Sequence, residues 1–237
     1  MPSRGLRPVR VPVPAAGPAH VSGLLQVPGD ACACYVLAHG AGAGMDHPFL
    51  AAVAQGLAAR GVATLRYQFP SMEGGSRRPD SPARAQAAVR AAVAEAARLV
   101  PGLPLFAGGK SFGGRMTSEA QAAAPLPGVR GLAFLGFPLH PAGRPSAGRG
   151  RHLPAVLVPL LFLQGTRDAL ADLALLRGLV AALGPRARLA VFPEADHSFH
   201  VPARSPRTDA EVRAAMLEVL ADWIRGLLGT GQPGGGP

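Results

Sequence analysis

The chain has 237 residues, 48% of them hydrophobic, enough for one α/β domain with a sizeable core. Its net charge of +10 suggests a nucleic-acid partner until the basic residues are placed: 23 of the 24 are arginines scattered from Arg4 to Arg225, and Lys110 is the one lysine. Scattered arginine beside abundant Ala, Gly and Pro, without interleaved aromatics, argues against a nucleic-acid surface. Two cysteines, Cys32 and Cys34, lie too close along one strand for an ordinary disulfide and lack a second ligand pair for a metal. They are expected to be small core residues of a reduced, cytoplasmic protein.

The N-terminal arginines are interrupted by prolines and followed by no apolar segment of signal-peptide type. The longest apolar run, Leu153 to Leu163, is too short to span a bilayer, so no membrane partner is expected. Arg7 to Val13 and His20 to Val27 have the pattern of two antiparallel edge strands joined around Ala15-Ala16-Gly17-Pro18. Ala31 to Ala38 is nearly all apolar, as a strand buried on both faces requires, and it ends in the loop His39-Gly40-Ala41-Gly42-Ala43-Gly44. Asp46 is placed to cap a helix whose Phe49, Leu50, Val53 and Leu57 share a face, with Gly61 as its stop.

Val62 to Tyr67 follows as a strand, and Pro70 to Asp80 as a loop. Ser81-Pro82 is an N-cap and first-turn pair for a helix with small apolar residues at Ala88, Ala92 and Ala96. A short apolar strand, Leu103 to Ala107, then runs into Gly108-Gly109-Lys110-Ser111-Phe112-Gly113-Gly114, and a helix is expected over Met116 to Ala124. Further strands are expected at Val129 to Phe137, Ala155 to Gln164 and Arg188 to Phe192, with a helix over Ala171 to Leu183. Leu139 to Pro154 has little helical periodicity and is short for a cap domain, which predicts an open site. The last helix opens with the capping box Thr208-Asp209-Ala210-Glu211 and buries Val212, Met216, Val219, Trp223 and Leu227. One domain is expected over residues 1–228, with a disordered tail from Gly229 to Pro237. Strands alternating with helices at this rhythm imply an α/β fold with a mostly parallel, doubly wound sheet.

Gly109-Lys110-Ser111-Phe112-Gly113 matches the nucleophile elbow G-x-S-x-G, in which a tight strand-to-helix turn presents a serine. With ten serines and 31 glycines in the chain, random placement would give about 0.2 matches, so the context has to carry the argument. It does so through two further residues. Ser111, Asp168 and His197 occur in the order nucleophile, acid, base, each just past the C-terminal end of an expected strand, the edge where parallel sheets hold ligands. A serine hydroxyl is a poor nucleophile until an imidazole takes its proton, and the imidazole must be held in one tautomer by a carboxylate. Asp196 is the rival acid, but adjacent side chains diverge, and His200 is the rival base, farther from the strand end. The Ala41 and Phe112 N–H groups are candidates for an oxyanion hole. His39 is expected to be structural, since no acid partner is placed for it, and the loop after it fits neither G-x-G-x-x-G nor a Walker motif.

His39-Gly40-Ala41-Gly42, Gly109-Lys110-Ser111-Phe112-Gly113-Gly114, Gly165-Thr166-Arg167-Asp168 and Ala195-Asp196-His197-Ser198-Phe199 together resemble the α/β-hydrolase superfamily. More narrowly they resemble the small, lidless, dienelactone-hydrolase-like group of bacterial hydrolases, which is similar to the hydrolase-like domains of KANL/Tex proteins. The resemblance covers about Val27 to Leu228. It implies an eight-stranded sheet, no cofactor, no metal, a Ser111–His197–Asp168 triad and oxyanion donors at Ala41 and Phe112. Dienelactone hydrolases use a cysteine nucleophile where this chain has Ser111, so their lactone substrate does not carry over. The expected function is a serine hydrolase acting on a small-molecule acyl ester or thioester, with a non-catalytic interaction module on the same fold as the alternative. A basic group at Arg144, Arg149, Arg151 or Lys110 would favour an acidic substrate. Nothing in the sequence assigns an oligomeric state.

Overall fold

A computed structural model describes residues 5–14 and 18–229. Eight strands form one sheet in the order β1-β2-β4-β3-β5-β6-β7-β8. They are β1 (Arg7–Pro12), β2 (His20–Gln26), β3 (Ala33–Ala38), β4 (Val62–Tyr67), β5 (Leu105–Lys110), β6 (Val129–Leu135), β7 (Leu160–Gly165) and β8 (Ala187–Phe192). The first two pair antiparallel, β2 pairs antiparallel with β4, and the remaining neighbours are parallel. This is the α/β architecture expected from the sequence, antiparallel edge included. The connection expected at Ala15-Ala16-Gly17 lies outside the described residues, as does the tail beyond Gly229. Gly229 itself is the last residue of a helix and so does not belong to that tail.

The helices are α1 (Pro48–Ala58), α2 (Pro70–Glu73), α3 (Pro82–Leu99), α4 (Phe112–Ala123), α5 (Leu173–Leu183) and α6 (Asp209–Gly229). Alternation along the central strands sends successive side chains to opposite faces, so each face builds its own core. On one face Tyr35, Leu37, Phe106 and Leu161 pack with Leu50, Val53 and Leu57 of α1 and with Met216, Leu220 and Ile224 of α6. On the other, Val36, Leu65, Ala107 and Phe134 pack with Ala88, Val89 and Ala92 of α3, Met116 of α4 and Leu176 of α5. Strands β3, β4 and β7 are buried at every residue; β3 accordingly reads as an apolar run, while β4 buries Thr64 and Arg66 as well. Both cysteines are free, Cys34 buried and Cys32 half-buried. Among the described residues no helix is long and apolar enough to cross a membrane.

Several boundaries differ from the sequence expectation, each for a local reason. The cap of α1 is His47, whose Nδ1 accepts from the Phe49 N–H at 3.2 Å, so Asp46 lies one residue outside. Residues 70–73 of the expected loop close a single helical turn behind Pro70. Residues 153–155 form a 3-10 turn behind Pro154, so β7 starts at Leu160, beyond Pro159. Helix α5 starts at Leu173 because the Asp172 carboxylate caps the Leu175 N–H at 2.9 Å. Ser81 occupies the cap position of α3 but its hydroxyl makes no capping bond. The box at α6 forms as expected: Thr208 N–H donates to Glu211 at 2.7 Å and Glu211 N–H to the Thr208 hydroxyl at 3.3 Å.

Candidate active site

Strand β5 ends at Lys110 and α4 begins at Phe112, leaving Ser111 alone to turn the chain. Its backbone has φ 50° and ψ −116°, a conformation that is strained for a residue with a side chain. The turn closes because two neighbours have no Cβ. At Gly113 a Cβ would lie 2.5 Å from the His39 carbonyl oxygen, and at Gly109 (φ 146°) it would run into the Ala38 backbone. Helix α4 therefore starts four residues earlier than the sequence suggested. The glycines that look like helix breakers are what lets its first turn lie against β3.

Ser111, His197 and Asp168 come together although they are far apart in sequence. The His197 Nε2 is 2.8 Å from Ser111 Oγ, and its Nδ1 is 2.7 Å from Asp168 Oδ2. With the carboxylate as acceptor, Nδ1 carries the proton and Nε2 is free to accept from the serine hydroxyl. The Asp168 side chain is fully buried, and its charge is matched by donors: Leu170 N–H at 2.8 Å on Oδ1 and the Gln164 side-chain amide on Oδ2. Gln164 in turn accepts from Phe137 N–H at 2.9 Å, so its amide is held with the nitrogen toward Asp168. The sequence reading left Gln164 without a role. Its signal was a polar side chain at the end of the apolar run Leu160 to Leu163.

The two rivals are occupied elsewhere. Asp196 Oδ1 accepts from Ser198 N–H at 2.7 Å and His200 N–H at 3.0 Å, closing the turn that carries His197. His200 pairs with Asp209 at 2.8 Å on the exposed surface.

His39 is buried, and its Nδ1 is 2.7 Å from the Gly40 carbonyl oxygen while Nε2 accepts from Phe69 N–H at 3.0 Å. Accepting from Phe69 needs the neutral ring with its proton on Nδ1, and burial pushes the pKa down, against the Gly40 bond, which favours the cation. The consequence reaches the next peptide. In a trans peptide C=O and N–H point in opposite directions, so holding the Gly40 oxygen toward His39 turns the Ala41 N–H away from it. Ala41 lines the same cavity as Ser111, whereas Phe112, whose N–H lies in the first turn of α4 where backbone donors have no intrahelical partner, is not among the residues lining it.

That cavity has a volume of about 350 Å³ and is walled by Ala43, Phe49, Leu50 and Leu170 beside Ser111 and His197. Arg144 and Arg151 are exposed, Arg149 is half-buried, and none of the three lines it, whereas Lys110 does. Residues 139–159 fold down beside α4, pinned where His152 Nε2 meets Ser118 Oγ at 2.7 Å. No group of His, Cys, Asp or Glu among the described residues could hold a metal ion.

A family model described as "Alpha/beta hydrolase domain" matches residues 31–225. The chain belongs to this family. A comparison with curated proteins found no match. Among solved structures, the hydrolase is similar to a dienelactone hydrolase from Anabaena variabilis, with 21% identity, 94% of this chain and 97% of that one covered, and a TM-score of 0.72. It is likewise similar to XC6422 from Xanthomonas campestris, described as an α/β serine hydrolase without lid (20% identity, 94% and 96% covered, TM-score 0.71). The esterase domain of a Rhodothermus marinus protein gives 17% identity, 94% and 98% coverage and the same TM-score. At such identities the likeness is one of fold, and the eight-stranded sheet that the resemblance implied is the one seen in this hydrolase.

Proposed function

We propose that the protein is a serine hydrolase that cleaves small acyl esters or thioesters through an acyl-enzyme on Ser111. The observation that carries this reading is the unbroken hydrogen-bond line from Asp168 through His197 to Ser111, at 2.7 and 2.8 Å. His197 takes the hydroxyl proton as Ser111 Oγ attacks the acyl carbon, and Asp168 stabilises the resulting imidazolium. The carbonyl oxygen becomes an oxyanion, met by the N–H groups of Ala41 and Phe112. Collapse of the tetrahedral intermediate breaks the bond to the leaving group, which takes the proton from His197. Water then attacks the acyl-enzyme, His197 accepts its proton, and the acid leaves as Ser111 regains its hydrogen. The apolar wall of Phe49, Leu50 and Leu170 favours an uncharged acyl group of modest size. The structural neighbours, an esterase domain among them, point the same way.

Hydrolysis of p-nitrophenyl esters of increasing acyl length tests this. Turnover of short acyl chains that falls by roughly 10³-fold or more in Ser111→Ala is the expected result. Release no faster from the wild type than from Ser111→Ala would reject it in favour of a binding module.

A further inference from the structure

The His197 segment has no regular structure between the end of β8 and the start of α6, so its position depends on what ties it down. The Asp196 turn ties it to itself, Asp209, accepting from Val201 N–H at 2.8 Å, ties it to α6, and Arg167 N–H, donating to the Ala195 carbonyl oxygen at 2.9 Å, ties it to the loop that carries Asp168. None of these contacts refers it to the nucleophile. Lys110 does. Its backbone adjoins Ser111 on β5, its stem passes Gly40, and its Nζ donates to the His197 carbonyl oxygen at 2.5 Å across 87 residues of sequence.

The surroundings suit an ammonium at that point. Nζ lies 5.8 Å from the centroid of the Phe199 ring, within cation–π range. That ring stacks on Phe49 at 5.9 Å and meets Phe192 edge-on at 5.8 Å. Gly136 makes the room, since a Cβ there would come 3.0 Å from Nζ and 3.4 Å from the His197 ring. Burial lowers the Lys110 pKa to about 8, with Asp168 and Asp196 pulling the other way. The His197 carbonyl thus already engages the ammonium, on a residue that also lines the cavity beside Ser111.

We propose that Lys110 is a positioning residue: its ammonium grips the backbone carbonyl of His197 and so sets the imidazole at hydrogen-bond distance from the adjoining Ser111. The proposal rests on the serine-hydrolase reading above for its kinetic consequences, but the grip itself can be observed without turnover.

Lys110→Met keeps the apolar stem and removes the donor. The expected result is a fall in kcat of roughly 10- to 100-fold on neutral p-nitrophenyl esters, with KM within about twofold and a similar fall in the rate of fluorophosphonate labelling. Lys110→Arg, which retains a donor, is expected to keep more activity than Lys110→Met. Thermal unfolding separates this from a stability role, since a loss that follows a lowered melting temperature would overturn the proposal. So would unchanged kcat on neutral esters with a raised KM for esters bearing a carboxylate, which would make Lys110 an anion receptor. If the wild type hydrolyses no ester, the serine-hydrolase reading fails by itself. The grip is then judged by the NMR signal of the His197 Nδ1–H: exchange broadening in Lys110→Met supports it, and an unaltered signal refutes it.

Discussion

Ser111 is useful only because the groups around it hold still. Its φ of 50° is kept by packing, its partner His197 is fixed at both ring nitrogens, and the acid behind it is saturated by Leu170 and Gln164. His39 shows how a residue outside the reacting line can act on it, because its grip on the Gly40 carbonyl fixes the peptide that carries the Ala41 N–H. His39→Ala is therefore expected to lower kcat by roughly 10- to 100-fold, approaching the cost of losing one oxyanion donor. KM should stay near the wild-type value, since the donor acts on charge that develops after binding. Steady-state kinetics on a short ester check this; an unchanged kcat in a folded variant would remove Ala41 from the oxyanion hole.

At the scale of elements, the contact that matters is α4 against the end of β3. Alanine normally improves a helix over glycine by up to about 1 kcal/mol. At Gly113 the sign is expected to reverse, because a Cβ would meet backbone on β3: the His39 oxygen at 2.5 Å and the Ala38 carbonyl carbon at 2.8 Å. A backbone cannot rotate away as a side-chain tip can. Gly113→Ala is predicted to cost about 2 kcal/mol or more in chemical denaturation and to depress activity further by shifting Ser111. A stabilised, active variant would mean that the elbow is looser than this packing implies. The same contact explains what the sequence hid. Gly113-Gly114 carries a local signal for a break, and only the approach of β3 turns it into a helix start. The Val156 and Val158 side chains look like strand residues until Pro154 and Pro159 impose their turns. His47, as a cap, gives no pattern in one dimension, and α2 is too short for periodicity to register. Ser111, Asp168 and His197 were legible because turn residues mark each strand end. Gln164 and the grip of Lys110 were not, because their partners Phe137, Asp168 and the His197 carbonyl are assembled only by the sheet order.

For the molecule as a whole, the buried His39 and the half-buried His152 are histidines whose protonation opposes folding. His152, on the segment 139–159, has its pKa pushed down to about 4 by burial and then by the nearby Arg115 guanidinium; His39 is lowered by burial. The unfolded chain binds these protons near pH 6.5 and the folded one does not, so stability rises with pH between the two values and is lost as pH falls below about 6.5. His200 acts in the opposite sense, its pKa raised by Asp209 on the surface. Unfolding free energies from urea titrations between pH 6.5 and 4.5 are expected to fall, by about 1 kcal/mol from His152 once solvent screening of its half-buried ring is allowed for. His152→Gln, which cannot titrate but can still donate to Ser118, should show a flatter fall. Equal slopes in the two proteins would show that His152 is protonated in the native state.

Every step of the proposed chemistry requires that Ser111 be activated. Fluorophosphonate labelling of the purified protein, compared with Ser111→Ala and His197→Ala, asks this without knowledge of the substrate. The account predicts stoichiometric labelling of the wild type, none in Ser111→Ala and a large fall in His197→Ala. A folded wild type that resists the probe, or labelling that survives Ser111→Ala, would contradict it.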